Sequence, residues 1–230
     1  MSPPAAPPRL SVVVPVLDEA VGIVATLQAL GPLRAWGAEL IVVDGGSRDG
    51  TPARAAPLAD LMVEAPRGRA RQMNAGAARA RSARLLFLHA DTVLPEGAGA
   101  LVERALQTGR EWGRFDVRIA GRSRWLPVVA TMMNLRSRAS GIATGDQALF
   151  MTRQAFDAVG GFPDQPLMED VEICRRLGRL SPPACLRARV TTSGRRWDQR
   201  GAWRTIVLMW QLRWAYWRGT PPELLARRYR

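Results

Sequence analysis

Four short stretches, residues 10–16, 40–43, 61–63 and 85–88, are almost wholly apolar, and each runs into a polar or glycine-rich turn. The runs at 10–16 and 40–43 predict strands buried on both faces of a parallel sheet, and 61–63 and 85–88 predict a short third and a fourth strand. Between them apolar residues recur every three or four positions. Asp18 is placed to cap a helix with Ala20, Ile23, Leu27 and Leu30 on its inward face, stopped by Gly31 and Pro32. Asp49 and Thr51 open a second helix after the turn Asp-Gly-Gly-Ser, and the alanine-rich residues 69–82 predict a third. This β-α-β-α-β-α-β alternation specifies an α/β protein with a doubly wound, mostly parallel sheet.

Beyond Pro95 the rhythm changes. Residues 97–107 predict a helix, 114–119 and 147–152 predict strands, and Glu169 and Asp170 open an amphipathic segment. This half is mixed and reads as an extension of the same domain. Trp203, Trp210, Trp214 and Trp217 follow at spacings of seven, four and three, one stripe of a helix. The stripe is expected to pack back on the domain; lying in a membrane interface is the alternative. The chain therefore divides into a flexible leader (1–9), a single domain (10–200) and a C-terminal amphipathic helical extension (201–230).

Composition narrows the partners. The 230 residues are 47% hydrophobic and 23% charged, enough to bury one sizeable core. All 33 basic residues are arginine, and the net charge is +13, so the surface attracts anions: nucleotide diphosphates, nucleic acid or anionic lipid. The absence of lysine excludes Schiff-base chemistry and a GxxxxGK[ST] phosphate loop. Cys174 and Cys185 lie outside any CxxC and are expected to be buried, reduced thiols. The proline-rich start and the lack of a long apolar segment point to cytoplasmic synthesis.

The candidate chemistry sits at separated acidic stations. Asp44 follows four apolar residues and precedes two glycines that let backbone N–H groups approach a ligand. A carboxylate there accepts hydrogen bonds from a nucleobase or ribose, or closes an Asx-turn. His89 and Asp91 are expected on one side of an extended segment. Asp91 offers a hard oxygen to Mg2+ or Mn2+ bridging to a diphosphate; His89 suits Mn2+ or a plain hydrogen bond; a strand-end pair facing water is the alternative. On a helix the side chains of Glu169 and Asp170 diverge by about 100° and cannot share a proton. One then serves as general base and the other as structure, or both simply charge a helix N-terminus. Arg71, Arg195 and Arg196 are candidates to clamp a diphosphate, since guanidinium forks match phosphate oxygens. Asp146 binds a sugar hydroxyl or closes a turn.

In their order and spacing, SVVVPVLDEA, VVDGGSRDGT, FLHADT and MEDVEICRRL resemble the family 2 glycosyltransferases that use nucleotide-diphospho-sugars. RQMNAGAARA, WGRFDVRI, ATGDQALF, GGFPDQPLMED and GRRWDQRG narrow the resemblance to the radical-SAM and selenodomain-associated, arsenosugar-biosynthesis type. The resemblance implies a GT-A fold, with a Rossmann-like nucleotide-binding half and a mixed acceptor-binding half. It implies a metal-dependent, inverting hexosyl transfer, with Pro15, Glu19 and Asp44 around the base and ribose. Asp91 matches the second acid of the family's DxD motif and would hold the metal, Mn2+ or Mg2+; His89 stands at the first position. Asp170 matches the acid that deprotonates the acceptor hydroxyl. The implied partners are a nucleotide-sugar donor and a small-molecule, lipid or glycan acceptor, at the cytoplasmic face of a membrane or in solution. A sugar-phosphate nucleotidyltransferase is the nearest enzymatic alternative, but its glycine-rich GxGxR loop and lysine are absent. A basic nucleic-acid-binding module fits the charge, yet no such motif occurs and the acids would have no purpose; nucleic acid is not an expected partner.

Overall fold

A computed structural model describes residues 6–229, with the side chains of Arg196, Arg200 and Ala202 outside the described set. The first half contains β1 (Leu10–Val16), α1 (Ile23–Ala29), α2 (Gly31–Ala35), β2 (Ala38–Asp44), α3 (Thr51–Ala55), β3 (Leu61–Glu64), α4 (Arg69–Arg79) and β4 (Arg84–Phe87). The second contains β5 (Thr92–Val93), α5 (Ala98–Gln107), β6 (Trp112–Ala120), α6 (Leu126–Ser140), β7 (Phe150–Thr152), α7 (Arg153–Ala158), α8 (Glu169–Leu177), β8 (Ala184–Ser193), α9 (Arg195–Arg200), α10 (Ala202–Trp217) and α11 (Pro222–Tyr229). The strands form one sheet in the order β3-β2-β1-β4-β7-β6-β8-β5.

The expected parallel half is β3-β2-β1-β4, paired Val12 to Leu40 and Leu86, and Ile41 to Leu61. β7 then joins β4 antiparallel, β6 joins β7 antiparallel, and β8 runs parallel to β6. Alternation along buried strands sorts the core into two layers. Leu10, Val12, Val14 and Val16 face one layer with α1, α5 and α6, while Val13, Ile41 and Val43 face the other with α4, α7 and α8. α4 lies hard against β1 and β2 because Gly76 has no side chain: a Cβ there would sit 2.4 Å from Val13 Cγ1 and 2.8 Å from Val43 Cγ2.

Several expected details differ. Asp18 does not cap α1, whose N-cap is Gly22 without a side-chain bond; instead its Oδ1 accepts from Arg48 N–H at 2.9 Å, because the two neighbouring loops interlock. α1 ends at Ala29, before Gly31 and Pro32 as expected, but these two residues also begin a further helix, α2, where proline at the first turn loses no hydrogen bond. The strand expected over 147–152 shrinks to β7, since residues 145–147 form a 3-10 turn and Ala148 adopts φ 47°. Cys174 is buried, as expected, but Cys185 is only half-buried in β8. Residues 1–5 of the leader lie outside the described residues, while Arg9 is held by Glu103 at 2.5 Å and stacks over Trp36.

The tryptophan stripe departs furthest from expectation. α10 does pack back on the domain, but through Leu208, Met209, Leu212, Ala215 and Tyr216 against Met168 and Val171. Trp203, Trp210, Trp214 and Trp217 stay 61–75% exposed. The helix is apolar nearly all round, so once its aliphatic face is buried the larger rings are left outside.

Candidate active site

The site lies at the carboxyl ends of β1, β2 and β4, the crevice where open α/β sheets take ligands. Asp44 ends β2 beside Val16. It is buried, and its Oδ2 accepts from the N–H groups of Gly46 and Ser47 at 2.9 and 3.0 Å. The Asx-turn is therefore real, but it uses one oxygen only; Oδ1 is buried and has no partner. A lone buried acceptor is costly in the absence of a donor, and nucleosides supply N–H and O–H donors. Pro15 sits one register step away, paired with Val43.

Gln72 holds this corner from behind. Its Nε2 donates to the carbonyls of Val16 at 2.7 Å and Val43 at 2.9 Å, pinning α4 across the ends of β1 and β2. Asn74, two residues on, exchanges hydrogen bonds of 2.8 and 2.9 Å with the backbone of Phe162. Neither was singled out from the sequence; the available signal was two amides inside an otherwise alanine-rich helix. The β1–α1 loop is latched to the β2–α3 loop in the same way. Ser47 accepts from Asp18 N–H, Thr51 from Glu19 N–H and Asp49 from Ala20 N–H, all within 2.9 Å.

Glu19 occupies that latched loop. Burial raises its pKa; Arg195, 3.8 Å away, opposes the rise, and Asp91, Asp49 and Asp18 add to it. Glu19, Asp91 and Arg195 thus share one electrostatic neighbourhood although they come from distant parts of the chain. Asp91 itself is exposed. His89 goes elsewhere, contrary to expectation: a turn closed by Thr92 N–H to the His89 carbonyl at 3.1 Å sends the two side chains to different neighbours. His89 Nδ1 meets Asp146 at 3.1 Å, and its buried Nε2 has no polar partner and lies against Gly145, where a Cβ would come within 2.3 Å.

Asp170 arrives from the other side. Met168, with φ 66°, turns the chain into α8, and the two acids diverge as a helix requires. Glu169 points inward, 3% exposed, and pairs with Arg69 at 3.2 Å. Burial and the Asp170 charge raise its pKa against the pull of Arg69. Asp170 keeps an accessible carboxylate, with Oδ2 accepting from Gly145 N–H at 3.0 Å and Oδ1 from Val171 N–H at 2.8 Å. His89, Gly145, Arg69, Glu169 and Asp170 line one small cleft.

The arginines divide. Arg195 stands by Glu19, whereas Arg71 is bonded to Asp164 at 2.8 Å on the surface. The Arg196 side chain lies outside the described residues. Among the described residues no group of three His, Cys, Asp or Glu side chains is arranged to hold a metal ion. A hard cation bound mainly by a substrate diphosphate would need only one or two protein carboxylates. Exposed Asp91 beside Glu19 meets that requirement.

The family model described as "Glycosyl transferase family 2" matches residues 11–160. No curated protein sequence matches. Among solved structures, the chain is similar to the mannosyltransferase PcManGT from Pyrobaculum calidifontis in complex with GDP-Man and Mn2+, at 21% identity and TM-score 0.59, over 82% of this chain and 57% of that one. It is similar to S. aureus TarS (residues 1–349) in complex with UDP, at 15% identity and TM-score 0.64, over 80% and 60% of the two chains. It is also similar to glucosyl-3-phosphoglycerate synthase from Mycobacterium tuberculosis in complex with Mg2+ and UDP, at 20% identity and TM-score 0.57, over 80% and 70%. The chain thus spans less than two thirds of the length of the first two. These likenesses establish the GT-A fold.

Proposed function

Because the chain belongs to glycosyl transferase family 2, we propose that it moves a hexosyl group from a nucleotide-diphosphate donor to an acceptor hydroxyl, with a divalent metal and inversion at the anomeric carbon. The observation that carries this reading is the convergence of four distant stretches, residues 19, 44, 89–91 and 169–170, on the carboxyl ends of β1, β2 and β4. Pro15, Glu19 and Asp44 take the base and ribose, with the free Asp44 Oδ1 accepting a nucleoside donor. Arg195, Arg196 and Arg71 are the candidates for the diphosphate. Asp91 holds Mn2+ or Mg2+; His89, turned to Asp146, serves as a hydrogen-bond partner rather than a ligand. The metal, when bound, neutralises charge on the departing diphosphate.

Asp170 acts as general base. Its carboxylate is held by two backbone N–H groups and remains accessible, so it can take the acceptor's proton as that oxygen attacks from the face opposite the diphosphate. A single displacement of this kind inverts configuration. Glu169, buried against Arg69, anchors the helix that presents Asp170. Within the family we place the chain in the radical-SAM and selenodomain-associated branch. Two motifs that suggest it, RQMNAGAARA and GGFPDQPLMED, are bonded to each other through Asn74 and Phe162.

The reaction takes place, in this reading, at the cytoplasmic surface of a membrane. No helix among the described residues is long and apolar enough to cross one. The outer face of α10, Trp203, Val207, Trp210, Trp214 and Trp217, is continued on α6 by Val128, Met132 and Leu135, with Trp125 against Trp203 at 5.2 Å. Exposed Arg122, Arg124, Arg204 and Arg218 border it, which complements anionic lipid. Liposome flotation with and without phosphatidylglycerol checks the contact; no binding to anionic vesicles removes it.

The transfer reading is tested by calorimetry and turnover together. Asp91→Ala is expected to abolish metal-dependent binding of UDP or GDP, whereas Asp170→Asn keeps nucleotide binding and loses about 10²–10⁴-fold in transfer. If both variants turn over like the wild type, the roles assigned here are wrong.

A further inference from the structure

Two arginines outside the expected set interact electrostatically with Asp170. Arg136 is on α6 and Arg213 on α10. Both are half-buried. Arg136 Nε and Nη2 are buried without an acceptor, and Arg213 has no ion pair or hydrogen bond among the described residues. Burial pushes Arg136 down to about 10, and the nearby Arg213 charge adds to that, while Asp170 works against it. Burial lowers Arg213 as well, opposed by Asp170 and Asp146. Two desolvated cations side by side, one with empty donors, form an unfavourable arrangement unless an anion joins them.

The pair belongs to the side of the proposed base, not the side of the nucleotide. Arg213 follows Leu212, which packs on Met168 two residues before Asp170, and both arginines interact with Asp170. Resting on the transferase reading above, we infer that Arg136 and Arg213 form an anion subsite next to Asp170 that binds a phosphate group carried by the acceptor. Guanidinium forks with unused N–H groups match phosphate oxygens in geometry and charge. α6 and α10 thus each turn one arginine inward and an apolar stripe outward, so the phosphate could come from a soluble ester or from a lipid headgroup.

The test uses the full chain saturated with Mn2+ and whichever of UDP or GDP binds more tightly. Inorganic phosphate, glycerol 3-phosphate and nanodiscs containing phosphatidic acid are then titrated calorimetrically. Phosphate is expected to bind the nucleotide-saturated protein. Arg136→Gln and Arg213→Gln should each weaken it tenfold or more, with nucleotide affinity held within twofold, and the corresponding lysine variants should recover part of the loss. The ligand-free glutamine variants should unfold at the same temperature as the wild type or higher, since each removes a desolvated cation; phosphate should raise the midpoint of the wild type only. Tighter binding of the nanodiscs assigns the phosphate to a lipid, tighter binding of glycerol 3-phosphate to a soluble ester, and either supports the subsite. Phosphate affinity unchanged in both variants overturns it. So does a tenfold loss of nucleotide affinity, which would give the arginines to the donor diphosphate. If neither nucleotide binds the wild type, the transferase reading has failed instead, and titrating the nucleotide-free protein still decides the subsite.

Discussion

The two halves of the sheet hold their functional acids by different means. In the parallel half, β3-β2-β1-β4, Asp18, Asp44 and Asp49 are tied to main-chain N–H groups of adjacent loops, and the backbone that ties them is itself set by strand register. Beyond β4 Asp170 is also held by main-chain N–H groups, but Glu169 and His89 rest on side chains, Arg69 and Asp146, and the backbone there is set by loop geometry rather than by strand register. Met168 and Ala148 take positive φ, β6 shifts register between Phe115 and Asp116, and His89 and Asp170 meet over one glycine. The first half is built to hold a constant ligand part in a fixed frame. The second is where unpaired donors and exposed apolar surface collect, which suits the partner that differs between enzymes of one fold.

Three measurements press on this contrast. The largest effect is expected at Gly145. A Cβ there would come within 2.3 Å of His89 Nε2, so Gly145→Ala must displace the ring or the loop that bonds Asp170. Misplacement of about 1 Å costs roughly 10²-fold in rate. Turnover should fall by about that factor while nucleotide binding by calorimetry stays unchanged. A parallel loss of nucleotide affinity would show the halves to be less separate than drawn here.

The next effect is on stability in the parallel half. Burial pushes Glu39 up, but hydrogen bonds from the Ser11 hydroxyl and from Arg81 outweigh it and hold the carboxyl below its ordinary value. A carboxylate depressed in the folded state stabilises above its unfolded pKa, and that contribution is lost as pH falls through the lower folded value. Glu39→Gln should therefore cost about 1 kcal/mol near neutral pH. The difference should shrink on acidification below pH ~4.5, as read from urea midpoints. A constant difference across that range would assign the cost to packing.

The smallest effect belongs to Arg71. Its bond to Asp164 joins two exposed side chains, and such pairs contribute little to stability. Arg71→Ala should change the melting temperature little. It should weaken nucleotide binding only if the guanidinium leaves Asp164 for the diphosphate, which a calorimetric titration decides.

The strands at residues 10–16, 40–43, 61–63 and 85–88 were legible because they depend on local pattern, a short apolar run ending in a turn. Asn74 and Gln72 were not, because an amide within a helix becomes informative only when its distant carbonyl partners are known. His89 was misplaced for a related reason. A turn between residues 89 and 92 replaces the extended geometry assumed for the pair, and nothing in the residues 89–91 reports it.

The chain alone determined where the strands of the parallel half run, because burial of an apolar run acts over a few residues; it did not determine the caps, since Asp18 bonds a neighbouring loop and α1 begins at Gly22 without a side-chain cap. Only the tertiary structure decided which face of α10 is covered. The helix is apolar around its circumference, so no periodicity distinguishes its sides, and packing of Leu208 and Leu212 on Met168 settles the choice. It likewise decided that Arg136 and Arg213, 77 positions apart, interact with each other and with Asp170, since electrostatic proximity across the sequence is set by folding and leaves no trace in either neighbourhood.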